Sequence, residues 1–274
     1  MYRLLVLLAI SLLTGSVIAA NKKPKLGACM SPKHTLCADF DNMDNMAWFY
    51  DWSGAMKSFN TQNCSKTSYE SVEYVPQIWG KNVVLSDTTI LQQASYLIGF
   101  NEPSHQKQSN VSPEEAAHLW KQLEAYAVQY NLKLVSPCVA NFNAAAPALW
   151  FEEWFSNCTE LYGNAGCHVD FMCTHAYYNP GGANTMMTMI DKLYKKYGKQ
   201  VWITEFACPP WNDCTAANNL KFMKEILPKL DASSAVFRYS WFSSRCGEQG
   251  GCGLLNYTSS QLTELGEWYN TYAG

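Results

Sequence analysis

Beyond residue 20 the chain alternates short apolar runs with longer stretches in which apolar positions recur every three or four residues. The short runs are Lys25–Cys29, Met46–Tyr50, Ser71–Ile78, Tyr96–Asn101, Leu132–Val139, Val169–Tyr177, Gln200–Phe206 and Ala235–Phe242. Their length and their β-branched and aromatic content predict eight strands. Between the later runs the period lengthens to that of a helix. Ser112-Pro113-Glu114-Glu115 is a capping box with proline at the first helical position. Ala116, Leu119, Trp120, Leu123, Ala127 and Tyr130 then fall on one face. Further helices are predicted over Ala148–Leu161, Asn184–Tyr197, Ala216–Leu230 and Leu262–Tyr272. After the first three strands the helices are short or replaced by loops. Strand–helix alternation with this count predicts an α/β fold: a single (β/α)8 TIM-type barrel with short early helices.

Residues 1–20 follow a different pattern. Arg3 precedes an apolar run from Leu4 to Leu13, and small residues follow around Ala19 and Ala20. The run is too short to span a bilayer, so it reads as a secretory signal peptide, leaving 21–274 as one barrel domain. Secretion, a monomer and no membrane attachment after cleavage are expected. The net charge of −3 offers no electrostatic case for nucleic acid or an anionic membrane.

Eleven cysteines suit an oxidising compartment, and predict disulfide stabilisation. No CxxC pair occurs and the five histidines are scattered, so no metal site or cofactor is implied. Cys158/Cys167, Cys208/Cys214 and Cys246/Cys252 are spaced to close small loops. The odd count leaves a thiol over, and Cys138 and Cys173, inside apolar runs, are expected to be buried free thiols. Sequons begin at Asn63, Asn110, Asn157 and Asn256, consistent with a secreted glycoprotein.

Two of the strands end in a glutamate: Gly99-Phe100-Asn101-Glu102-Pro103 and Trp202-Ile203-Thr204-Glu205-Phe206. A carboxylate at a strand mouth is poorly solvated and needs partners or work. In such barrels the chemistry lies at the C-terminal strand ends, and Glu102 closes strand four while Glu205 closes strand seven. Side-chain alternation puts Val201, Ile203 and Glu205 on one face, toward the axis. The same rule puts Phe171, Cys173, His175 and Tyr177 together, so His175 and Tyr177 rise into the same mouth. Ten Trp and sixteen Tyr supply flat faces for sugar rings as well as core. Trp48, Trp52, Trp79, Trp211 and Trp241 fall at strand ends and would line a groove, whereas Trp120, Trp150 and Trp154 lie on helical patterns and should pack in the core.

At these residues the chain resembles glycoside hydrolase family 128, secreted β-1,3-glucanases with an alkali-sensitive-linkage-like catalytic domain. The likeness runs through Trp48-Phe49-Tyr50-Asp51-Trp52, Tyr74–Gly80, Gly99–Pro103, Gln108-Ser109-Asn110, His175 with Tyr177, Trp202–Ala207, Arg238–Phe242 and Leu262–Gly266. It implies a retaining endo-β-1,3-glucanase acting on β-glucan. Glu102 would be acid/base and Glu205 nucleophile, with Asn101 on the sugar 2-OH. Trp241 would floor the subsite of the reacting sugar, and Trp48, Trp52 and Trp79 would extend a bent aromatic trough. Glu102 is expected to have its pKa raised by an apolar setting and a negative neighbour. Asp51, Ser104 and Ala176 depart from the family pattern, which bears on subsite shape. The alternatives are a non-catalytic glucan-binding or wall-structural protein, or a hydrolase of β-1,4-glucan or mannan. No G-x-S-x-G elbow supports an esterase.

Overall fold

The structure, a computed structural model, describes residues 22–56, 69–209, 214–247 and 251–272. The expected signal peptide, Trp211 and the sequon at Asn63 lie outside them. Eight parallel strands form one curled sheet: β1 Lys23–Cys29, β2 Met46–Tyr50, β3 Glu73–Tyr74, β4 Tyr96–Ile98, β5 Lys133–Val139, β6 Phe171–Tyr177, β7 Val201–Ala207 and β8 Val236–Trp241. Their order is β3-β2-β1-β8-β7-β6-β5-β4. Each follows its apolar run closely except β4, which keeps only Tyr96–Ile98 of its run, and β3. There Pro76 has no N–H to offer on the side that faces β4, so no regular ladder forms along that edge. The chain stays extended nonetheless: Val75 N–H bonds Phe49 O at 2.9 Å, and Ile78 and Ile98 exchange main-chain bonds with β4 and Pro76 at 2.9 Å. A parallel bridge between Gln77 and Ile98 thereby links the β3 side of the sheet to β4.

The helices are α1 Ala38–Asn42, α2 Pro113–Tyr130, α3 Ala145–Tyr162, α4 Ala183–Tyr197, α5 Ala216–Ala232 and α6 Glu264–Thr271. The short early and long later helices match the sequence pattern. Ser112 Oγ accepts from Glu115 N–H at 3.2 Å, satisfying a donor at the start of α2. Asn131 ends that helix in the left-handed region, where a short polar side chain is tolerated. Among the described residues no helix is long and apolar enough to cross a membrane.

Two apolar layers follow from strand alternation. The outer layer packs the sheet against the helices and includes Trp120, Trp150 and Trp154, as expected. The inner layer fills the curl with Cys29, Trp48, Tyr50, Val75, Ile98, Val135, Cys138, Cys173 and Trp202. Below them Arg238 lies against the rings of Tyr96 and Trp202, 4.6 and 5.1 Å from their centroids. It also reaches Glu73 at 2.6 Å.

The three short cysteine loops close as expected: Cys158–Cys167, Cys208–Cys214 and Cys246–Cys252. The expectation for Cys138 and Cys173 is overturned, because they bond to each other. They are register partners on the adjacent strands β5 and β6, a neighbourhood that a separation of 35 residues concealed. Cys37 is also disulfide-bonded, and the free thiol among the described residues is the buried Cys29.

Candidate active site

At the C-terminal strand ends the inner layer gives way to polar side chains. On β6 the alternation holds: Cys173 is inside, His175 and Tyr177 follow it upward, and Met172 and Ala176 face the helices. Ala176 therefore does not shape the groove. On β7 strict alternation fails. Val201 and Ile203 pack outward, whereas Trp202 points into the inner layer and Thr204 meets Cys173 Sγ at 3.3 Å. Glu205 still faces inward because the register slips between Ile203 and Phe206 against β8, and between Thr174 and His175 against β6. Such an extra residue re-aims one side chain, and here it delivers a carboxylate to the mouth. His175 and Glu205 become register partners.

Glu102 arrives from the other side. Its N–H bonds Cys138 O at 2.7 Å, which ties the segment after β4 to β5. Its φ of 42° and the φ of 57° at Trp52 are left-handed, a costly conformation for residues with a Cβ. Both residues line the same cavity. Asp51, buried below, accepts from Tyr74 Oη at 2.7 Å and holds the end of β2 rather than facing the cavity.

The groups converge on His175, which is fully buried. Its Nδ1 lies 2.7 Å from Glu102 Oε1 and 3.4 Å from Glu205 Oε2. Trp52 Nε1–H donates to Glu205 Oε1 at 2.8 Å, and Tyr177 Oη–H donates to Oε2 at 2.5 Å. Both oxygens of Glu205 thus carry donors, which suits an ionised carboxylate. Burial lowers the affinity of the His175 imidazole for protons, but the charges of Glu205 and Glu102 and the bond to Glu102 win, raising its pKa above 6.5. Burial pushes Glu102 upward, yet the hydrogen bond and charge of His175, with His105 behind it, hold it below its ordinary 4.5. The expectation of a raised Glu102 pKa is therefore corrected. The apolar setting is real but weaker than the imidazole beside it. Burial and then the Glu205 charge push the Tyr177 phenol well above 10, keeping it a donor.

A cavity of about 710 Å³ opens above these groups, lined by Trp52, Trp79, Asn101, Glu102, His105, Lys107, Gln108, Ala140, Asn141, Tyr177, Glu205 and Phe242. Asn101 is buried beside this cavity with its Oδ1 unpartnered by protein. A second cavity of about 470 Å³ adjoins it, and Trp52 and Trp79 border both.

With that geometry in place, comparison with known proteins is informative. A family model described as the glycosyl hydrolase catalytic core matches residues 27–269. The chain belongs to this hydrolase family. Alkali-sensitive linkage protein 1 of Schizosaccharomyces pombe is 29% identical over 247 residues, covering 84% of the chain and 41% of the relative. The chain thus spans about two fifths of that relative's length. A subgroup I family 128 endo-β-1,3-glucanase from Amycolatopsis mediterranei, solved with laminaritriose, is 26% identical with a TM-score of 0.73, covering 90% of this chain and 99% of that one. A subgroup III curdlan-specific exo-β-1,3-glucanase from Blastomyces gilchristii, solved with glucose, is 25% identical with a TM-score of 0.71, covering 91% and 100%. These findings support the resemblance to family 128.

In this hydrolase the structure brings Asn101, Glu102, His175, Tyr177, Glu205, Trp52 and Trp79 together, although the buried His175 reaches the carboxylates rather than the cavity surface. Two predicted residues do not join them. Trp48 has no exposed surface; its indole donates to Lys25 O at 3.1 Å and meets the edge of Trp202. It packs in the inner layer two residues before Tyr50, inside the core, rather than lining the groove as expected. Trp241 is equally buried on the outer face, donating to Cys252 O at 2.8 Å and packed against Phe206. Alternation from Ser240, which bonds Thr204 O inside, turns Phe242 inward and Trp241 outward. Phe242 takes the cavity place expected of Trp241, edge-on to Trp52 and Tyr177 at 5.9 and 5.7 Å. That alternation was the signal for Phe242. Gln108 belongs to the Gln108-Ser109-Asn110 motif but was not singled out as a site residue, and Lys107 and Asn141 carry no sequence signal beyond the loops they occupy.

Proposed function

We propose that this hydrolase is a retaining endo-β-1,3-glucanase in which Glu205 is the nucleophile and Glu102 the acid/base. The observation that carries the reading is the close approach of the two carboxylates, with donor atoms of Glu102, His175 and Glu205 all within 4.8 Å of one another. Retaining pairs sit about 5–5.5 Å apart, whereas inverting pairs leave about 6.5–9.5 Å for a water. Glu205, oriented by Trp52 and Tyr177, attacks the anomeric carbon while Glu102 protonates the leaving oxygen. In the second half Glu102 takes a proton from the water that releases the sugar. Asn101 would receive the 2-OH, a bond that strengthens as positive charge develops at the ring. Trp52, Trp79 and Phe242 supply the apolar faces for a glucan chain.

The β-1,3 linkage is supported by the family 128 structures, including one solved with laminaritriose. The exo-acting neighbour makes release of glucose alone a specific second reading. We further read the curled sheet as a closed (β/α)8 barrel, supported by the bridge from Gln77 to Ile98. The apolar N-terminal run, the disulfides and the sequons support a secreted glycoprotein, which we read as a monomer.

The test is digestion of laminarin, curdlan, cellulose and mannan with products followed by chain length and anomeric NMR. Short β-anomeric oligosaccharides from the first two substrates are expected. Initial α-anomers would overturn retention, glucose alone would favour exo action, and binding without hydrolysis would leave a glucan-binding protein.

A further inference from the structure

The His175 imidazole has no role in the scheme above, yet it is the most enclosed member of the cluster. Nδ1 can serve two carboxylates, Glu102 at 2.7 Å and Glu205 at 3.4 Å. Nε2 is buried and has no protein partner. The remaining titratable groups around it are phenols and a thiol: Tyr177 on its own strand, Tyr50 on β2 and Cys29 on β1. Burial and neighbouring charge push all three upward, so they stay neutral near pH 7. His105 faces Glu102 from the loop after β4. Within this shell the imidazole is therefore the one enclosed group able to hold a cationic proton against two negative neighbours.

We propose that His175 stores the proton that Glu102 delivers, and that loss of charge at Glu205 releases it. The idea rests on the retaining reading above. In the free protein the imidazolium lies between two carboxylates, and with Nε2 unpartnered nothing else in the protein holds its charge. As Glu205 bonds the anomeric carbon its negative charge disappears, and one of the two charges that hold the imidazolium goes with it. The Nδ1 proton then moves to Glu102 Oε1, and Glu102 passes its proton to the departing glycosidic oxygen. The imidazole is left neutral with its proton on Nε2. When water attacks the glycosyl ester, Glu102 accepts the water's proton and Glu205 regains its charge. Nδ1 takes the proton back, so the cycle closes with one proton returned to the store and the water's hydroxyl on the sugar. A carboxyl held below its ordinary pKa in the free protein can thus still act as an acid, because its proton waits 2.7 Å away.

The scheme makes His175 a positioning and proton-holding residue, and two measurements test it. The first uses the wild-type protein without substrate: ¹⁵N NMR of the histidine side chains across pH 5–9. His175 should read as imidazolium with a midpoint above 6.5, and that midpoint should fall in Glu205→Gln. A neutral imidazole throughout pH 5–7 would overturn the proposal even if the protein hydrolyses glucan with retention. The second is the pH profile of His175→Gln, which keeps a donor near the carboxylates but cannot store the proton. The basic limb of kcat/KM should move down by about one unit or more. Activity on an aryl glucoside with a good leaving group, which needs little protonation, should fall at least tenfold less than on laminarin. A uniform loss at every pH and on both substrates would mark a structural role and refute the idea. Retention of configuration is read separately, so an inverting product would instead overturn the underlying mechanism.

Discussion

Two of the buried charged clusters among the described residues are built on opposite plans. Asp39, on α1, meets Arg245, just beyond β8, through a two-pronged pair at 2.5 and 2.7 Å. Asp39 Oδ2 also accepts Leu36 N–H at 2.8 Å, while the guanidinium continues to Asn256 O and Ser259 O at 3.0 and 2.9 Å. One positive charge faces one negative charge, and the surrounding polar atoms complete the set. At the strand mouth a single imidazole faces two carboxylates, Nε2 and Asn101 Oδ1 lack protein partners, and two cavity residues adopt left-handed backbone. Buried charge that serves the fold is closed on itself. Under the proposed mechanism, the charge at the strand mouth is instead left unbalanced, so that a reaction at Glu205 can change it.

The contrast can be broken by removing one charge from each cluster. Glu205→Gln should reduce kcat on laminarin by about 10⁴-fold or more, as loss of a nucleophile does. Its melting temperature should stay level or rise, because a like charge beside Glu102 has gone. Arg245→Met should do the reverse, lowering denaturant-measured stability by about 3–5 kcal/mol through the stranded Asp39 carboxylate. The double change Arg245→Met with Asp39→Leu should recover much of that loss. A larger destabilisation by Glu205→Gln than by Arg245→Met would erase the distinction.

A second pair sharpens it at adjacent residues. Trp241→Ala should cost about 3–5 kcal/mol of stability. Phe242→Ala should cost less than half of that but reduce kcat/KM about tenfold, equivalent to about 1.4 kcal/mol at the transition state. If activity followed Trp241 instead, the inward-outward assignment of β8 would be wrong.

The smallest effect is in pH. Glu102 has a lowered pKa, so its contribution to stability is present above 4.5 and is lost as pH falls through its folded value. His175 has a raised pKa, so its contribution is complete below 6.5 and is lost as pH rises through its folded value. Denaturant titrations should show the cluster supporting the fold best between those limits, with a decline on the alkaline side that is absent in His175→Gln.

Much of this architecture was legible as pattern. Apolar runs marked the strands, and the capping box at Ser112 marked the start of α2, because both are local signals. The two glutamates stood out because a carboxylate ending an apolar run is costly without a purpose. What escaped were features decided between strands. A register slip on β7 brings Glu205 inward against simple alternation, and no local residue announces it. The bond between Cys138 and Cys173 depends on β5 lying beside β6. Trp241 was chosen over Phe242 because a tryptophan is the more conspicuous sugar platform, although alternation from Ser240 already favoured its neighbour. The lowered Glu102 pKa needed the distance to His175, 73 residues away in sequence.

Neither sulfur of the Cys138–Cys173 bridge has any solvent-exposed surface, although Cys138 O holds the Glu102 N–H and Cys173 lies two residues below His175. A small reductant therefore meets this bond only after β5 and β6 have parted. In dithiothreitol, the rate at which an alkylating reagent captures these two sulfurs becomes a clock for opening of the catalytic floor. The thiol of Cys29, equally enclosed on β1, keeps time for the opposite wall without any reductant at all. Two chemically distinct labels on facing walls can thus tell whether the hydrolase breathes as one body or opens from one side first.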